Sequence, residues 1–247
     1  MAFARPRGTR DFTPVEMSVR RQVLEGIREV FEGAGYREIQ TPLFEETSLF
    51  LEKSGPEIVT HLYNFADKGG REICLRPEAT ASVARFFTQE LRQNPKPLRL
   101  YYHGPMYRYE RPQKGRYREF FQTGVELIGA ESVEADAEII WLASQCLSQF
   151  SLKHKLRISH LGVLKEFLKA EGLDDKQAGE IISFIDRDLM DEVDRRVKSP
   201  EFKKIMRLCG KASVLKDAEK LLKGKDAAFE KLKELEKVCG LLDEVGV

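Results

Sequence analysis

The chain has 247 residues, 42% hydrophobic and 33% charged, which is long enough to bury a proper core and ordinary for a globular protein. Its 41 basic and 40 acidic residues leave a net charge of +1, so there is no global attraction to nucleic acid and any such contact must come from local patches. No apolar run approaches the length of a membrane span and MAFARPRGTRDF lacks a secretory apolar segment, so a cytoplasmic protein with no membrane partner is expected.

In chain order, VEMSVRRQVLEGIREVFEGAGY at 15–36 sets Val19, Val23, Leu24, Ile27, Val30 and Phe31 at helical intervals, with Gly33 and Gly35 ending the helix. EIQTPLF begins as a short strand that Pro42 confines to an edge or an end. Residues 49–67 read as a short helix and then a strand, and DKGGREICLRP as a hairpin about Gly69 and Gly70. PEATASVARFFTQELRQ, 77–93, opens with a proline and an acid and continues as a helix with Ala84, Phe87 and Leu91 inward. Read by itself, Glu78 is a first-turn acid that favours the helix dipole.

The stretch 98–129 is a hairpin with a long loop. LRLYY and MYRYE on one side and REFFQTGVELI on the other alternate as strands do, while RPQKGR between them holds no hydrophobic residue. Arg108, Arg111, Lys114, Arg116 and Arg118 place five basic charges within eleven residues, beside Tyr107, Tyr109, Tyr117, Phe120 and Phe121. Such a cluster can hold polyphosphate by charge while a ring stacks on a base. On the first strand Arg108 and Glu110 are expected to share a face that Tyr107 and Tyr109 do not. On the second, alternation aims Phe120, Gln122 and Glu126 at one face.

ESVEADAEIIWLASQCLSQF, 131–150, is a helix with Ile139, Ile140, Leu142, Ala143 and Leu147 inward, and KHKLRISHLG reads as a further strand. From about 161 only helical patterns follow. Two domains are therefore expected, 1–160 and 161–247. Cys74 and Cys146 are expected to be buried thiols, and neither the four cysteines nor the four histidines show metal-ligand spacing, so no metal site in the protein itself is expected.

Four segments resemble one family in its own order. GPMYRYERPQKGRYREFFQTGVELIG at 104–129 resembles motif 2 of class II aminoacyl-tRNA synthetases in the form found in histidyl-tRNA synthetases. LRPEATA at 75–81 resembles the segment that holds the substrate ammonium, RGTRDFTP at 7–14 the N-terminal start, and GYREIQTPLFEE at 35–46 motif 1. The fold this implies is α+β, a class II synthetase-like antiparallel sheet flanked by helices, incomplete at the C-terminus and followed by a helical inserted domain. The strands expected to carry it lie near 71–76, 98–109 and 118–128.

The activity implied is ATP-dependent activation of L-histidine and its transfer to tRNA(His), with Mg2+ on the departing phosphates and a homodimer formed through residues 15–45. By position, Arg108 is the motif 2 arginine that holds the α-phosphate and the amino-acid carboxylate, and so the catalytic residue. Glu110 lies near the adenine amino group, Arg116 at the nucleotide's phosphates, and Phe120 stacks on the adenine. Glu78, Thr80, Gln122 and Glu126 surround the ammonium and ring of histidine, together with Arg108. Lys203, Lys204, Arg207 and Lys211 form the basic cluster of the helical domain that would face tRNA.

Phe121 departs from the family, where many members carry histidine. Its strand parity marks it as a packing change. The chain has no RGLDYY-like segment and no glycine-rich motif 3. The expectation is a fragment of a longer enzyme, or one whose other half is supplied separately and which is inactive or incomplete alone. The competing function is the histidine-sensing regulatory subunit of ATP phosphoribosyltransferase, a non-enzymatic relative with no need for the complete ATP grip of Arg108, Glu110, Arg116 and Phe120.

Overall fold

A computed structural model describes residues 3–54, 60–110 and 115–247. Arg111 and Lys114 of the expected basic loop lie outside the described residues. The chain divides into two compact units, one of residues 1–130 with 145–152, the other of 131–144 with 153–247. The division therefore falls within a helix and assigns 131–144 and 153–160 differently from the boundary at 160 read from periodicity.

In the first unit, α1 (Pro14–Gly33) starts at a reciprocal cap. The Thr13 hydroxyl accepts from the Glu16 amide at 3.3 Å, and the Glu16 carboxylate accepts from the Thr13 amide at 2.8 Å. Pro14 stands in the first turn, where its missing N–H costs nothing. Two three-stranded sheets follow. One is ordered β1 (Arg37–Glu38), β5 (Leu98–Tyr107), β6 (Glu119–Ile128); the other is ordered β2 (Phe44–Glu46), β4 (Glu72–Leu75), β3 (Tyr63–Ala66). All pairs are antiparallel except β1 with β5. Pro42 lies between β1 and β2 and belongs to neither, so it interrupts no ladder. Between β3 and β4 the Asp67 carboxylate accepts from the amides of Gly69 and Arg71 at 2.8 and 2.9 Å, closing the turn expected at the two glycines. The helices α2 (Thr47–Ser54) and α3 (Thr80–Phe86) complete this part, and α3 continues as a π-turn at Phe87–Leu91.

The β5/β6 register pairs Tyr102 with Gly124, Gly104 with Gln122 and Met106 with Phe120. Even-numbered side chains of both strands therefore share one face, and there Leu100, Tyr102 and Met106 pack with Ala79 and Val83. The odd face meets α1, with the Tyr101 and Phe31 rings 5.5 Å apart. Phe121 lies on this odd face, stacked near His103 at 6.2 Å and 3.8 Å beneath the Arg20 guanidinium, yet it stays exposed, so it is not the buried packing residue that its parity suggested.

Several expectations are corrected. β5 ends at Tyr107, and the Glu110 amide bonds back to the Arg108 carbonyl at 2.8 Å. That three-residue turn takes Arg108 and Glu110 off a common strand face. KHKLRISHLG forms no strand, for it has no ladder partner among the described residues. Ala84 of α3 is exposed, since Ala81, Ser82 and Val83 take the inward positions. On α4 (Val133–Ser148), Leu142 is buried but Ala143 and Leu147 are exposed. Cys74 is buried as expected, whereas Cys146 is only half-buried. Val19 and Val23 of α1 face outward, leaving Phe31 as the anchor of that helix.

The second unit adds α5 (Leu161–Ala170), α6 (Asp175–Asp186), α7 (Met190–Arg196), α8 (Pro200–Arg207), α9 (Leu215–Leu221) and α10 (Asp226–Glu244). One core joins them through Phe167, Leu168, Ile181, Val193, Phe202 and Leu232. Their starts carry side-chain caps where the sequence allows: Asp174 with Gln177 for α6, Ser199 before Pro200 for α8, and the His160 ring nitrogen on the Gly162 amide at 3.1 Å for α5. Among the described residues, no helix is long and apolar enough to cross a membrane.

Candidate active site

The site is assembled on the even face of β5 and β6. Gly124 leaves the sheet open below the ring of Tyr102, whose hydroxyl crosses to the neighbouring strand. A Cβ at Gly124 would stand 2.6 Å from that hydroxyl oxygen. There the hydroxyl takes a hydrogen bond from Gln122 Nε2 at 3.2 Å and another from the Thr80 side chain. Burial pushes the Tyr102 phenol up to about 12, helped by the negative charges of Glu126 and Glu78. Tyr102 thus bonds Gln122 and Thr80 and lies within the field of the Glu126 and Glu78 carboxylates. The other end of the Gln122 carboxamide, Oε1, is buried with no hydrogen-bond partner among the described residues.

Glu78 stands where the chain turns into α3. Its two carboxylate oxygens accept from the amides of Thr80 and Ala81 at 2.7 and 3.0 Å. The helix start therefore fixes this carboxylate, and each oxygen keeps a lone pair for a further donor. Arg108 closes the other end. Its amide pairs with the Arg118 carbonyl at 2.9 Å, its Nε donates to the Pro77 carbonyl at 2.9 Å, and its guanidinium lies 5.2 Å from the Phe120 ring centroid. Among the described residues no hydrogen bond is made by the terminal guanidinium nitrogens, whose flat fork suits two oxygens of a ligand.

Six of the eight expected residues therefore converge: Glu78, Thr80, Arg108, Phe120, Gln122 and Glu126. Glu110 and Arg116 form a pair of their own, 3.6 Å apart at the base of the loop, with Arg116 largely exposed. Arg118 supports that base, donating to the Glu110 carbonyl at 3.1 Å while its own amide bonds the Gly8 carbonyl at 2.8 Å. The N-terminal RGTRDF segment thus braces the loop.

Sequence reasoning missed Tyr102 and Arg76. Arg76 is buried and donates to the Pro105 carbonyl at 3.1 Å and to the Thr41 carbonyl and hydroxyl at 3.0 Å, which ties the end of β4, the segment at 41 and β5 together. Burial lowers its pKa. Gly104 faces its guanidinium, as Gly124 faces Tyr102, with no room for a Cβ at either. A glycine within a strand marks a close approach, and these two were the legible signal.

A profile of the histidyl-tRNA synthetase family matches residues 8–247. The chain belongs to the histidyl-tRNA synthetase family. Among curated members, the histidine-tRNA ligase of Archaeoglobus fulgidus is 44% identical, the alignment covering 100% of this chain and 60% of that protein. The histidine-tRNA ligase of Methanocaldococcus jannaschii is 43% identical, covering 96% of this chain and 58% of that protein. The chain thus spans little more than half the length of these synthetases. A solved structure described as an ATP phosphoribosyltransferase regulatory subunit/histidyl-tRNA synthetase from Bacillus halodurans superposes with a TM-score of 0.85 at 27% identity, covering 100% of this chain and 66% of that one. The histidyl-tRNA synthetase of Nostoc sp. superposes with a TM-score of 0.80 at 22% identity, a likeness of fold. The expected α+β class II synthetase fold is therefore shown.

Proposed function

We propose that this chain carries the ATP- and histidine-binding part of a histidine-tRNA ligase. The observation that carries this reading is the convergence of Glu78, Thr80, Gln122 and Glu126 about one buried hydroxyl, with Arg108 and Phe120 at the end of the same strand face. Two carboxylates and an unpartnered amide oxygen offer acceptors only, which suits an ammonium and would leave an apolar group facing unpaired oxygens. Arg108 would meet the α-phosphate and the carboxylate that attacks it, where its flat fork spans two oxygens. Phe120 would stack on the adenine, with Glu110 near its amino group and Arg116 at the outer phosphates. Magnesium, carried by the nucleotide, would offset charge on the departing pyrophosphate.

In this reading the partners are L-histidine, tRNA(His) and a second copy of the chain through residues 15–45. The helical unit would contact RNA through α8, where Lys204 and Arg207 are exposed and Lys203 is tied to Asp194 at 2.7 Å, and through exposed Lys211 beyond it. Histidine-dependent ATP–pyrophosphate exchange by a full-length enzyme built on this core tests the reading. Binding of histidine without exchange would favour the second reading, a histidine-sensing regulatory subunit, which the description of the Bacillus halodurans structure also names.

A further inference from the structure

Gln122 poses a question of orientation that the site chemistry depends on. A carboxamide has a donor end and an acceptor end of nearly equal shape, and only its surroundings decide which faces a ligand. Here the deciding neighbour is Tyr102. Its hydroxyl oxygen stands 3.2 Å from Nε2 and accepts that N–H, while burial beside the negative charges of Glu126 and Glu78 keeps the phenol protonated. What it offers Gln122 is a lone pair, and the carboxamide meets it with its donor end. Oε1 is left buried and unpartnered. A buried carbonyl without a donor is costly, so a ligand that supplies one is favoured there by about the cost of the missing bond. The hydroxyl is itself held in place, with Tyr102 only 6% exposed and Gly124 beneath it.

We propose that Tyr102 is the positioning residue that sets the polarity of this site, holding the Gln122 carboxamide so that its oxygen faces the ligand and selects an ammonium over a neutral group in that place. The inference rests on the proposed function for the identity of the ligand, but not for the orientation of the amide. Tyr102 touches no reacting atom. It acts through Gln122, and its removal would free the amide to turn either way.

Two measurements on the 247-residue chain test this. By nuclear magnetic resonance of the ligand-free protein, the Gln122 carboxamide protons exchange slowly with water in the parent and quickly in Tyr102→Phe, which keeps the ring. Equal exchange in the two proteins overturns the inference whether or not histidine binds. By calorimetry, Tyr102→Phe weakens L-histidine about tenfold, the scale of one hydrogen bond. It weakens the 2-hydroxy analogue less than threefold, because a hydroxyl can meet either end of the amide. In a Gln122→Glu background, where both terminal atoms are oxygens, the same Tyr102→Phe change has less than a twofold effect. An equal loss for both ligands, or a tenfold loss that persists beside Gln122→Glu, makes Tyr102 merely structural and overturns the proposal. A parent chain that binds no histidine but shows the exchange difference overturns the selection of an ammonium by this chain alone and leaves the positioning of the amide supported.

Discussion

Arg108 is held through Nε to the Pro77 carbonyl and lies over Phe120, so its place in the site does not depend on a ligand. If its guanidinium meets the charge that develops on an α-phosphate, Arg108→Ala lowers histidine-dependent exchange in the full-length enzyme by about 10²–10³, the scale for one electrostatic donor in a transition state. Arg108→Lys recovers only part, because an ammonium cannot bridge two oxygens in a fixed plane. Exchange within threefold of the parent, in a folded protein, would rule out that role. A second substitution probes the floor of the site. Gly124→Ala sets a methyl 2.6 Å from the Tyr102 hydroxyl, so it is expected to cost about 1–3 kcal/mol in denaturant unfolding and to weaken histidine binding. Unchanged values for both would show that the ring moves freely. The charged residues of the site were legible because alternation on one strand and the family motifs mark them. Tyr102 was marked only indirectly, by a glycine within a strand at 124, because the register of two strands is what pairs them.

Elements were legible where local chemistry decides them and obscure where a distant partner does. The start of α1 is local: Thr13, Pro14 and Glu16 hold a capping box between them, and the Arg10 guanidinium reaches the same carboxylate. The hydrogen bonds from the Thr13 backbone and side chain hold the Glu16 pKa below its ordinary 4.5. A depressed carboxylate adds stability above its unfolded pKa and loses it as pH falls through the folded one. Glu16→Gln should therefore lower stability most at pH 7 and converge with the parent as pH falls below 4.5 through the folded pKa, followed by circular dichroism melts. An unaltered acid limb would mean that the box is not maintained in solution. Thr13→Ala removes the other half and is expected to cost about 1 kcal/mol. By contrast, residues 153–160 alternate well enough to suggest a strand, yet alternation only makes a strand possible; pairing makes it one. The outward turn of Val19 and Val23 was equally hidden, since periodicity shows that a helix has an apolar face and not what covers it.

At the scale of the whole chain, the closed core of the helical unit predicts that its unfolding can be perturbed separately. Phe202 is fully buried against Phe167 at 5.6 Å, and Phe202→Ala is expected to cost about 3–5 kcal/mol. Hydrogen exchange should show that loss in α5 to α10 and not in β5 and β6; equal loss in both would make the two units a single cooperative block. Self-association is the remaining question at this scale, and it rests on a surface. Val15, Val19 and Val23 recur every fourth residue on α1 and are 74%, 56% and 38% exposed, with Leu43 and Phe44 also outside. Single exposed apolar side chains need no explanation, but a stripe along one helix face does. Pairing of two chains through 15–45 would cover it, and Val19→Asp would then set a carboxylate at the middle of the seam. Sedimentation at micromolar concentration should give a dimer for the parent and a monomer for Val19→Asp, with the same helical content in both. On a solvated face the same substitution would stay within about 0.5 kcal/mol and alter no assembly. A full-length enzyme that sediments as a monomer would rule the interface out, and a dimer that Val19→Asp leaves intact would move it elsewhere.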